Sequence, residues 1–388
     1  MTDGVALLQD LIRIPSPNPP GDTIAIARYI AEKMEAIGCQ VQVIAPDEKP
    51  EAPNVIARLG SGEPIVMLHA HIDTVPIAAS ESKKWTVDPY AGIVKDGKIY
   101  GKGSIDDKAP LASMMLAMEY ASQHLDDLKG TLILVGAAEE EVGGQLGTKW
   151  LAENGHLPDC DFIVVGEQTA NKVAIAHKGV MRATITTTGK SVHATNPNRG
   201  INAITAMAKV VLALETYHDD LSKRVHPMVG VPTCNVGVIT GGSTANAVPD
   251  QCVIKLDRRM IPREAPEVVQ GELKAVIDSV DVSPATIHIS DFIFSSWFDS
   301  SIESPLSQIF LACVQSELAE LDDTPGPIGY LPGSDAKHLM GIARGDMIIF
   351  GPGSYEVAHA FDEHVRVEDF ETTTRVLINF ISKSLFKD

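Results

Sequence analysis

Basic residues are scarce in this sequence of 388 residues: 32 Lys and Arg stand against 51 Asp and Glu, which gives a formal charge of −19. Such a chain lacks the positive field that nucleic acids and anionic membranes require, and no run of Lys or Arg supplies one locally. No uncharged apolar stretch approaches the ~18 residues of a membrane-spanning helix. We therefore expect neither a nucleic-acid partner nor a membrane.

Cysteine is equally sparse. The chain has five cysteines, an odd number, and they are scattered without any C-x-x-C pair. This pattern argues against a disulfide framework and favours reduced thiols. The N-terminus, Met1-Thr2-Asp3-Gly4, shows no basic region followed by an apolar one, so we expect no secretory signal. Together these absences predict a cytoplasmic protein.

The short motifs of several enzyme classes are missing as well. Gly101-Lys102-Gly103 is followed by Asp106 where the dinucleotide-binding motif requires a third glycine. Gly241-Gly242-Ser243-Thr244-Ala245 comes closest to the serine-hydrolase elbow without matching it, and the zinc motif H-E-x-x-H is absent. The chemistry must therefore come from residues that lie far apart in the sequence.

What is present is an alternation of short apolar strands and helical segments. Strands are predicted at Val41–Ile44, Val55–Leu59, Ile65–Leu68, Leu132–Val135 and Phe162–Val165. Strands that alternate with helices are typical of a parallel or mixed sheet covered on both faces. The fold class is therefore α/β, and Met347–Phe350 indicates that this texture returns late in the chain.

Between these parts the pattern changes. Val180–Thr188 alternates like a half-exposed strand, and further strands and two helices follow it. This segment predicts a sheet with two helices on one face, an α+β sandwich inserted at residues 180–295. The chain would then consist of a discontinuous domain, residues 1–179 and 296–388, and this inserted domain.

Histidines and carboxylates follow the strands of the discontinuous domain. His71-Ile72-Asp73 comes after an apolar strand, and its spacing lets the carboxylate orient the imidazole of a metal-bound histidine. Polar groups at such a place are costly unless they bind something, although a surface loop remains an alternative. His69 is interpreted as a core or loop histidine.

Four more segments share this placement. Asp106 and Asp107 precede a helix, which they could simply cap, but capping requires only one acid. Glu139-Glu140-Glu141 follows a strand, although a solvated acidic run is the simpler interpretation of this segment taken alone. Glu167 ends another strand, and His359 lies beyond Met347–Phe350. Two histidines and several acids suit zinc, cobalt or manganese, and more carboxylates than one ion can use indicate two ions.

In order and spacing these segments resemble the dizinc hydrolases that include acetylornithine deacetylase, succinyl-diaminopimelate desuccinylase, aminoacylases and carboxypeptidase G. The resemblance spans nearly the whole chain and departs from the family's pattern at Gln168, where proline is usual. Further segments that carry it are Asp96–Gly103, Gly189 to His193, Asn246–Pro249, Arg259 to Pro262, Gly333–Ala336 and His359 to Glu363.

The resemblance implies the roles of the clustered residues. One divalent metal ion would be held by His71, Asp106 and Glu167, and the other by Asp106, Glu141 and His359. Asp73 would orient His71. Glu140 would be the general base that activates a water bridging the metals, because the family places its Glu-Glu pair one residue before a glycine. Zinc is expected first, with cobalt or manganese as alternatives.

The resemblance also implies a substrate site and a partner. His193 would stabilise the oxyanion, and it would reach the site of the partner subunit because the inserted domain acts as a lid and dimerisation domain. Arg259 would bind the substrate carboxylate, with Asn246, Gly333 and Ser334 nearby. A homodimer is therefore expected.

The predicted function is hydrolysis of the amide bond of an N-acyl amino acid, in the manner of acetylornithine deacetylase. His177-Lys178-Gly179 resembles that branch, and Arg259 favours a substrate with a free carboxylate. A desuccinylase is the near alternative, followed by a dipeptidase or carboxypeptidase. From another class, a non-catalytic binding protein would hold no pair of metal ions.

Overall fold

A computed structural model of the chain describes residues 2–319 and 326–387. The contacts divide the chain into two compact units, Met1–Ile175 with Ser300–Asp388 and Ala176–Asp299. We call them the discontinuous unit and the inserted unit. No helix in the described ranges is both long enough and apolar enough to cross a membrane.

Both units contain α-helices. In chain order they are α1 (Gly4–Ile12), α2 (Ile24–Ala36), α3 (Lys108–Gln123), α4 (Thr148–Glu153), α5 (Ala203–Leu221), α6 (Pro266–Asp278), α7 (Pro305–Leu318), α8 (Ala336–Leu339) and α9 (Val367–Leu385).

The strands are longer than the apolar runs alone predict, because several continue into polar residues. They are β1 (Gln40–Ile44), β2 (Asn54–Gly60), β3 (Ile65–His71), β4 (Ile93–Lys95), β5 (Lys98–Tyr100), β6 (Thr131–Ala137), β7 (Phe162–Gly166), β8 (Ala174–His177), β9 (Gly179–Thr188), β10 (Thr233–Gly241), β11 (Gln251–Met260), β12 (Thr286–Ser295), β13 (Phe298–Asp299), β14 (Ile328–Tyr330), β15 (Met347–Phe350) and β16 (His364–Arg366).

The main sheet of the discontinuous unit is mixed. Its strand order runs β1-β2-β6-β3-β7-β15-β8, and β14 also pairs with β8. The central strands β6, β3, β7 and β15 are parallel to one another, whereas β1 and β2 are antiparallel. These central strands are buried along nearly their whole length, as expected for a sheet with helices on both faces. The predicted fold class is confirmed.

Because the central strands are parallel, their carboxyl ends lie at one edge of the sheet. In an open α/β sheet this edge forms the binding crevice. His71 is the last residue of β3, and Glu167 directly follows β7. The turn Glu140–Val142 comes after β6. The fold therefore gathers residues that are distant in sequence.

The inserted unit has its own sheet and its own core. Its four antiparallel strands run in the order β10-β11-β9-β12. Alternate residues of β9 and β11 are buried, and they pack with the apolar faces of α5 and α6 in one cluster that includes Met181, Ile185, Leu214, Ile254 and Leu273. Both helices cover the same face of the sheet, which gives the predicted α+β sandwich.

Candidate metal centre and active site

The five predicted metal ligands lie together at the carboxyl edge of the main sheet. His71, Asp106 and Glu167 form one group, and Asp106, Glu141 and His359 form a second. Within each group every residue offers one ligand atom, and these atoms lie within 4.8 Å of one another. Asp106 belongs to both groups.

Asp106 lies between the two histidines and presents one carboxylate oxygen to each. Its Oδ1 is 2.9 Å from His71 Nε2, and its Oδ2 is 3.0 Å from His359 Nε2. The His359 Nε2 atom also lies 3.1 Å from Glu141 Oε2. A carboxylate with one oxygen on each side has the arrangement needed to bridge two cations.

The segment that carries Asp106 is fixed by a buried ion pair. Glu363 accepts hydrogen bonds from the backbone N–H groups of Ile105 and Asp106 at 3.2 and 3.4 Å, and Lys102 donates to its other oxygen at 2.9 Å. Asp107 occupies the N-cap position of α3 but makes no side-chain capping bond. It accepts instead from the backbone N–H of His71 at 3.1 Å, so helix capping does not explain this acid pair.

Asp73 ties the histidine to the glutamate turn. The His71 Nδ1 atom lies 3.0 Å from the backbone oxygen of Asp73 and 3.5 Å from its carboxylate. That carboxylate accepts from the backbone N–H groups of Glu140 and Glu141 at 3.1 and 3.2 Å. Its Oδ2 also accepts from the side chain of Asn18 at 2.9 Å. Asp73 thus orients His71 chiefly through its backbone, while its carboxylate holds the turn.

The three consecutive glutamates do not form a solvated acidic run. Glu139 is buried, with a positive φ of 71° that turns the chain, and its carboxylate accepts from Asn18 and Lys49. Glu141 accepts from the backbone N–H of Val75 at 3.0 Å through one oxygen and faces His359 with the other. Glu139 and Glu141 therefore have different partners on different parts of the chain, which a solvated acidic run would not have.

Glu140 belongs to neither ligand group and faces a cavity beside them. The cavity has a volume of about 160 Å³. Residues from five segments of the discontinuous unit line it: Asp106, Glu140, Glu141, Glu167, Gln168, Tyr330, Pro332, Gly333, Tyr355, Ala358 and His359. A carboxylate that lines the cavity without being a ligand is free to exchange a proton with a bound molecule.

Glu167 is held by two neighbours. The Tyr330 hydroxyl lies 3.0 Å from Glu167 Oε2 and 2.8 Å from Gln168 Oε1, and the Gln168 side-chain amide donates to Glu167 Oε2 at 3.1 Å. All three side chains are buried. Gln168, the departure from the family's usual proline, thus holds one oxygen of the predicted ligand Glu167.

The electrostatics of the site show an excess of negative charge. Burial raises the pKa of Glu140 to about 7, although Lys337 opposes this shift. Burial and the neighbouring Asp106 raise the pKa of Glu167 well above its usual value. Hydrogen bonds to Asp106 and Glu141 raise the pKa of His359 to about 10. Imidazole nitrogens and carboxylate oxygens in such surplus are the donor set that borderline and hard divalent cations prefer, so these residues fit two metal ions.

The remaining predicted residues of the discontinuous unit divide into two kinds. Gly333 lines the cavity, whereas Ser334 is buried and its hydroxyl accepts from the backbone N–H of Ala336 at 3.3 Å. His69, which was not predicted as a ligand, lies in neither ligand group and contacts the Thr148 hydroxyl at 2.7 Å. Burial lowers its pKa to about 4.

The other predicted substrate residues lie in the inserted unit. His193 forms an antiparallel bridge with Ala247, and the backbone oxygen of Asn246 accepts from the N–H of Ala194 at 2.9 Å. His193 and Asn246 are therefore neighbours. Arg259 is half-exposed on β11, where its Nε donates to Asp257 at 2.7 Å.

Several residues around the site carry no signal in the sequence. Tyr330 lies in a short strand, and Lys337 lies in the single turn of α8. Asn18 sits among prolines that indicate only the end of α1. Their importance follows from their contacts with Glu167, Glu140 and Asp73, and these contacts form only when the chain folds.

The fold and this set of candidate ligands are those expected of a metal-dependent hydrolase. Residues 67–383 match peptidase family M20/M25/M40, and the chain belongs to this family. It is thus a metal-dependent amidohydrolase or peptidase, and the resemblance stated from the sequence is confirmed.

Among its relatives, a probable succinyl-diaminopimelate desuccinylase from Staphylococcus epidermidis is 27% identical over 94% of this chain and 93% of that protein. An acetylornithine deacetylase from Proteus mirabilis is 28% identical over 91% of this chain and 88% of that protein.

Solved structures share the fold. A tripeptidase from Staphylococcus aureus matches with a TM-score of 0.76 and 22% identity over 98% of this chain and 97% of that one. A dinuclear metal-binding peptidase from Bacillus subtilis matches with a TM-score of 0.70 and 17% identity over 98% of this chain and 97% of that one.

Proposed function

We propose that this protein hydrolyses the amide bond of an N-acyl amino acid with two divalent metal ions. The observation that carries the proposal is the pair of ligand groups that share Asp106, with Glu140 beside them in the same cavity. One ion would be held by His71, Asp106 and Glu167, and the other by Asp106, Glu141 and His359. When bound, the metal pair would lower the pKa of a water and polarise the amide carbonyl.

Glu140 is the proposed general base. Its carboxylate would take a proton from the attacking water and deliver it to the leaving amine, since the same group serves both steps of amide hydrolysis. Support comes from its place in the cavity wall and from the turn that holds it, whose backbone is fixed by Asp73.

We propose zinc as the metal. Two imidazoles and three carboxylates make a nitrogen and oxygen donor set without thiolate, which suits zinc at a catalytic site. Cobalt and manganese accept the same donors. Metal analysis of purified protein decides among them.

His193 is the proposed oxyanion donor. The backbone N–H of Thr195 donates to its Nδ1 at 3.2 Å, so in the neutral imidazole the proton resides on Nε2. Nε2 is then a hydrogen-bond donor, as oxyanion stabilisation requires. Arg259 would bind the substrate carboxylate, with Asn246 contributing beside His193 and Gly333 and Ser334 forming part of the site in the discontinuous unit.

The acyl group is proposed to be a small neutral one, as in a deacetylase. Among the described residues that line the cavity there is no Lys or Arg, whereas four are carboxylates. The carboxylate of a succinyl group would find no basic side chain among these residues and would need a cation from elsewhere. Removal of a succinyl group is the second candidate reaction, because one relative is named a probable succinyl-diaminopimelate desuccinylase. A dipeptidase or carboxypeptidase is the third.

A homodimer through the inserted unit is also proposed. Strand β10 is an edge strand of the inserted sheet, and its Val238 and Ile239 are exposed, as is Leu212 of α5. Unpaired strand edges and exposed apolar side chains favour association. Light scattering at several concentrations tests this, and a monomer throughout would contradict it.

The cellular site is proposed to be the cytoplasm. All five cysteines are free and buried, which is compatible with a reducing compartment. Fractionation of the source cells would test it.

The first experiment combines metal analysis with a substrate panel. Amine release is measured from N-acetyl amino acids, N-succinyl amino acids and dipeptides, before and after chelation. We expect two metal ions per chain, release that chelation abolishes, and the highest kcat/KM among N-acetyl substrates. No turnover on any substrate after addition of zinc, cobalt or manganese would contradict the proposed function.

A further inference from the structure

A buried lysine lies directly behind the proposed general base. Lys337, on α8, has a side chain only 4% exposed, and its ammonium is 3.7 Å from Glu140 Oε1. The same ammonium lies 3.9 Å from Asp335 Oδ1 and donates to the backbone oxygen of Ser334 at 2.9 Å. Burial of an ammonium is costly unless it is paired, so this placement needs an explanation.

The Asp335 carboxylate is held by contacts with other side chains. The Thr148 hydroxyl donates to its Oδ2 at 2.5 Å, and His69 Nε2 lies 3.8 Å from the same oxygen. A Cβ at position 144 would come within 2.4 Å of Asp335 Oδ1, so Gly144 leaves the space that this carboxylate occupies. Asp335 is thus held in one place, and it anchors Lys337 in turn.

The other neighbours of Glu140 are acidic. Asp106, Glu141 and Glu167 line the same cavity, and their charges repel the Glu140 carboxylate. Among the described residues, Lys337 makes the ion pair of Glu140. The lysine therefore opposes a repulsion that would otherwise displace the carboxylate.

We propose that Lys337 is a positioning residue for Glu140. Its ammonium attracts Oε1 and thereby keeps the carboxylate aimed into the cavity, while Asp335 and Ser334 keep the ammonium in place. Lys337 belongs to neither ligand group and is not among the residues that line the cavity, so it would act through Glu140. The inference rests on the proposed function of Glu140 as the general base.

The kinetic test compares Lys337→Met with Lys337→Arg, using the N-acyl amino acid that the wild type cleaves fastest. Misplacement of a general base forfeits part of the ~10²–10⁴-fold that such a group contributes, so Lys337→Met should lower kcat about 10- to 100-fold. KM should change less than about threefold, both metal ions should remain, and Lys337→Arg should recover part of kcat. Unchanged kcat, or a loss of metal that accounts for the loss of rate, would overturn the proposal.

A double-mutant cycle tests whether the lysine acts through this glutamate. It compares the wild type, Lys337→Met, Glu140→Gln and the double variant. If the lysine acts through Glu140, adding Lys337→Met to Glu140→Gln should cause almost no further loss of rate. A matched control is Lys149→Met, which removes a partly exposed lysine on α4 and should leave kcat unchanged. Equal loss in both backgrounds would overturn the proposal.

The same four proteins give a readout that needs no activity. Lys337→Met leaves the partly buried Glu140 without its counter-charge, so it should lower Tm more in the wild-type background than in the Glu140→Gln background. If Lys337→Met does not fold, recovery of the fold by adding Glu140→Gln supports the pair, and failure of both overturns it. A wild type without hydrolase activity but with this coupling would refute the proposed function and keep the Lys337–Glu140 pair.

Discussion

The two units of this protein both bury charged side chains, but they balance the charge differently. In the inserted unit the fully buried Arg258 lies 2.8 Å from Glu264, and its Nε donates to the Tyr217 hydroxyl at 3.1 Å. Arg224 also pairs with Glu264 and with Glu272, each at 2.8 Å. Cations and carboxylates match in number here, and the cluster joins α5, α6 and β11 without needing a ligand.

At the carboxyl edge of the main sheet the charges do not match. Two imidazoles, of His71 and His359, face a larger number of carboxylates. Those carboxylates are Asp106, Glu140, Glu141 and Glu167. Even with both imidazoles protonated and Lys337 included, negative charge exceeds positive charge.

The difference separates a structural cluster from a binding site. A balanced cluster is complete in itself, and removal of one member leaves a partner buried without compensation. An unbalanced cluster is stabilised only when cations bind, so its acids serve ligand binding and catalysis. Substitutions in the two clusters should therefore affect different properties.

The largest expected effect comes from Glu140→Gln in the unbalanced cluster. The amide cannot accept and return a proton, so kcat should fall by about 10²–10⁴-fold or more. Both metal ions should stay bound because Glu140 is in neither ligand group. Tm should change little, since the removal of one of several repelling carboxylates offsets the loss of the ion pair with Lys337. Steady-state kinetics, metal analysis and calorimetry measure the three quantities.

A matched control for this variant is Glu153→Gln, which changes an exposed carboxylate on α4. It should alter neither rate nor metal content. Near wild-type turnover in Glu140→Gln would remove the general base from the proposed mechanism, and a large fall in Tm would contradict the contrast between the clusters.

The second effect is one of stability, from Glu264→Gln in the balanced cluster. The buried Arg258 would lose its counter-charge, and breaking such a pair costs about 3–5 kcal/mol of unfolding free energy. Urea unfolding measures this loss. Metal content should not change, because Glu264 belongs to the inserted unit and every proposed ligand belongs to the discontinuous unit.

Glu32→Gln provides the comparison, because Glu32 pairs with Arg28 on the exposed face of α2. Exposed pairs contribute little, so its midpoint should match the wild type. If Glu264→Gln also matches the wild type, the Arg258 cluster does not stabilise the inserted unit.

The fold class and the family could be predicted from the sequence. The apolar strands and the polar residues that follow them can be recognised within short stretches of the chain. The sequence also singled out His71, Asp106, Glu141, Glu167 and His359, which the structure brings together. Each stands at a strand end or in a quoted motif, and parallel strands bring such ends to one edge.

The surroundings of the ligands were not predictable in this way. Tyr330 and Lys337 reach the site from a short strand and a single helical turn, and nothing local in the sequence separates them from surface residues. The capping alternative for Asp107 failed because its carboxylate accepts from the backbone of His71, a contact between residues 36 positions apart. The solvated alternative for Glu139 failed because Asn18 and Lys49 converge on it.

The smallest expected effect on stability comes from a buried carboxylate whose hydrogen-bond partners among the described residues are hydroxyl and N–H groups instead of cations. In the discontinuous unit Asp346 accepts from the hydroxyls of Ser301 and Ser307 and from the backbone N–H of Ser304, at the start of α7. Burial raises the pKa of Asp346, but these hydrogen bonds lower it more, and the pKa falls below the usual value of 3.8. A depressed pKa means that the ionised carboxylate stabilises the fold above pH 3.8 and loses this contribution as the pH falls through the folded-state pKa.

Asp346→Asn should therefore lower the unfolding free energy by about 1 kcal/mol near pH 7, with kcat and metal content unchanged. The difference from the wild type should shrink as the pH approaches the lowest value at which both still unfold cooperatively, because the wild-type carboxylate is then protonated too. Urea unfolding of both proteins across that range measures it. A difference that stays constant with pH would assign the effect to the geometry of the side chain and not to its charge. The hydrogen bonds from Ser301, Ser304 and Ser307 would then not stabilise the ionised form of this carboxylate.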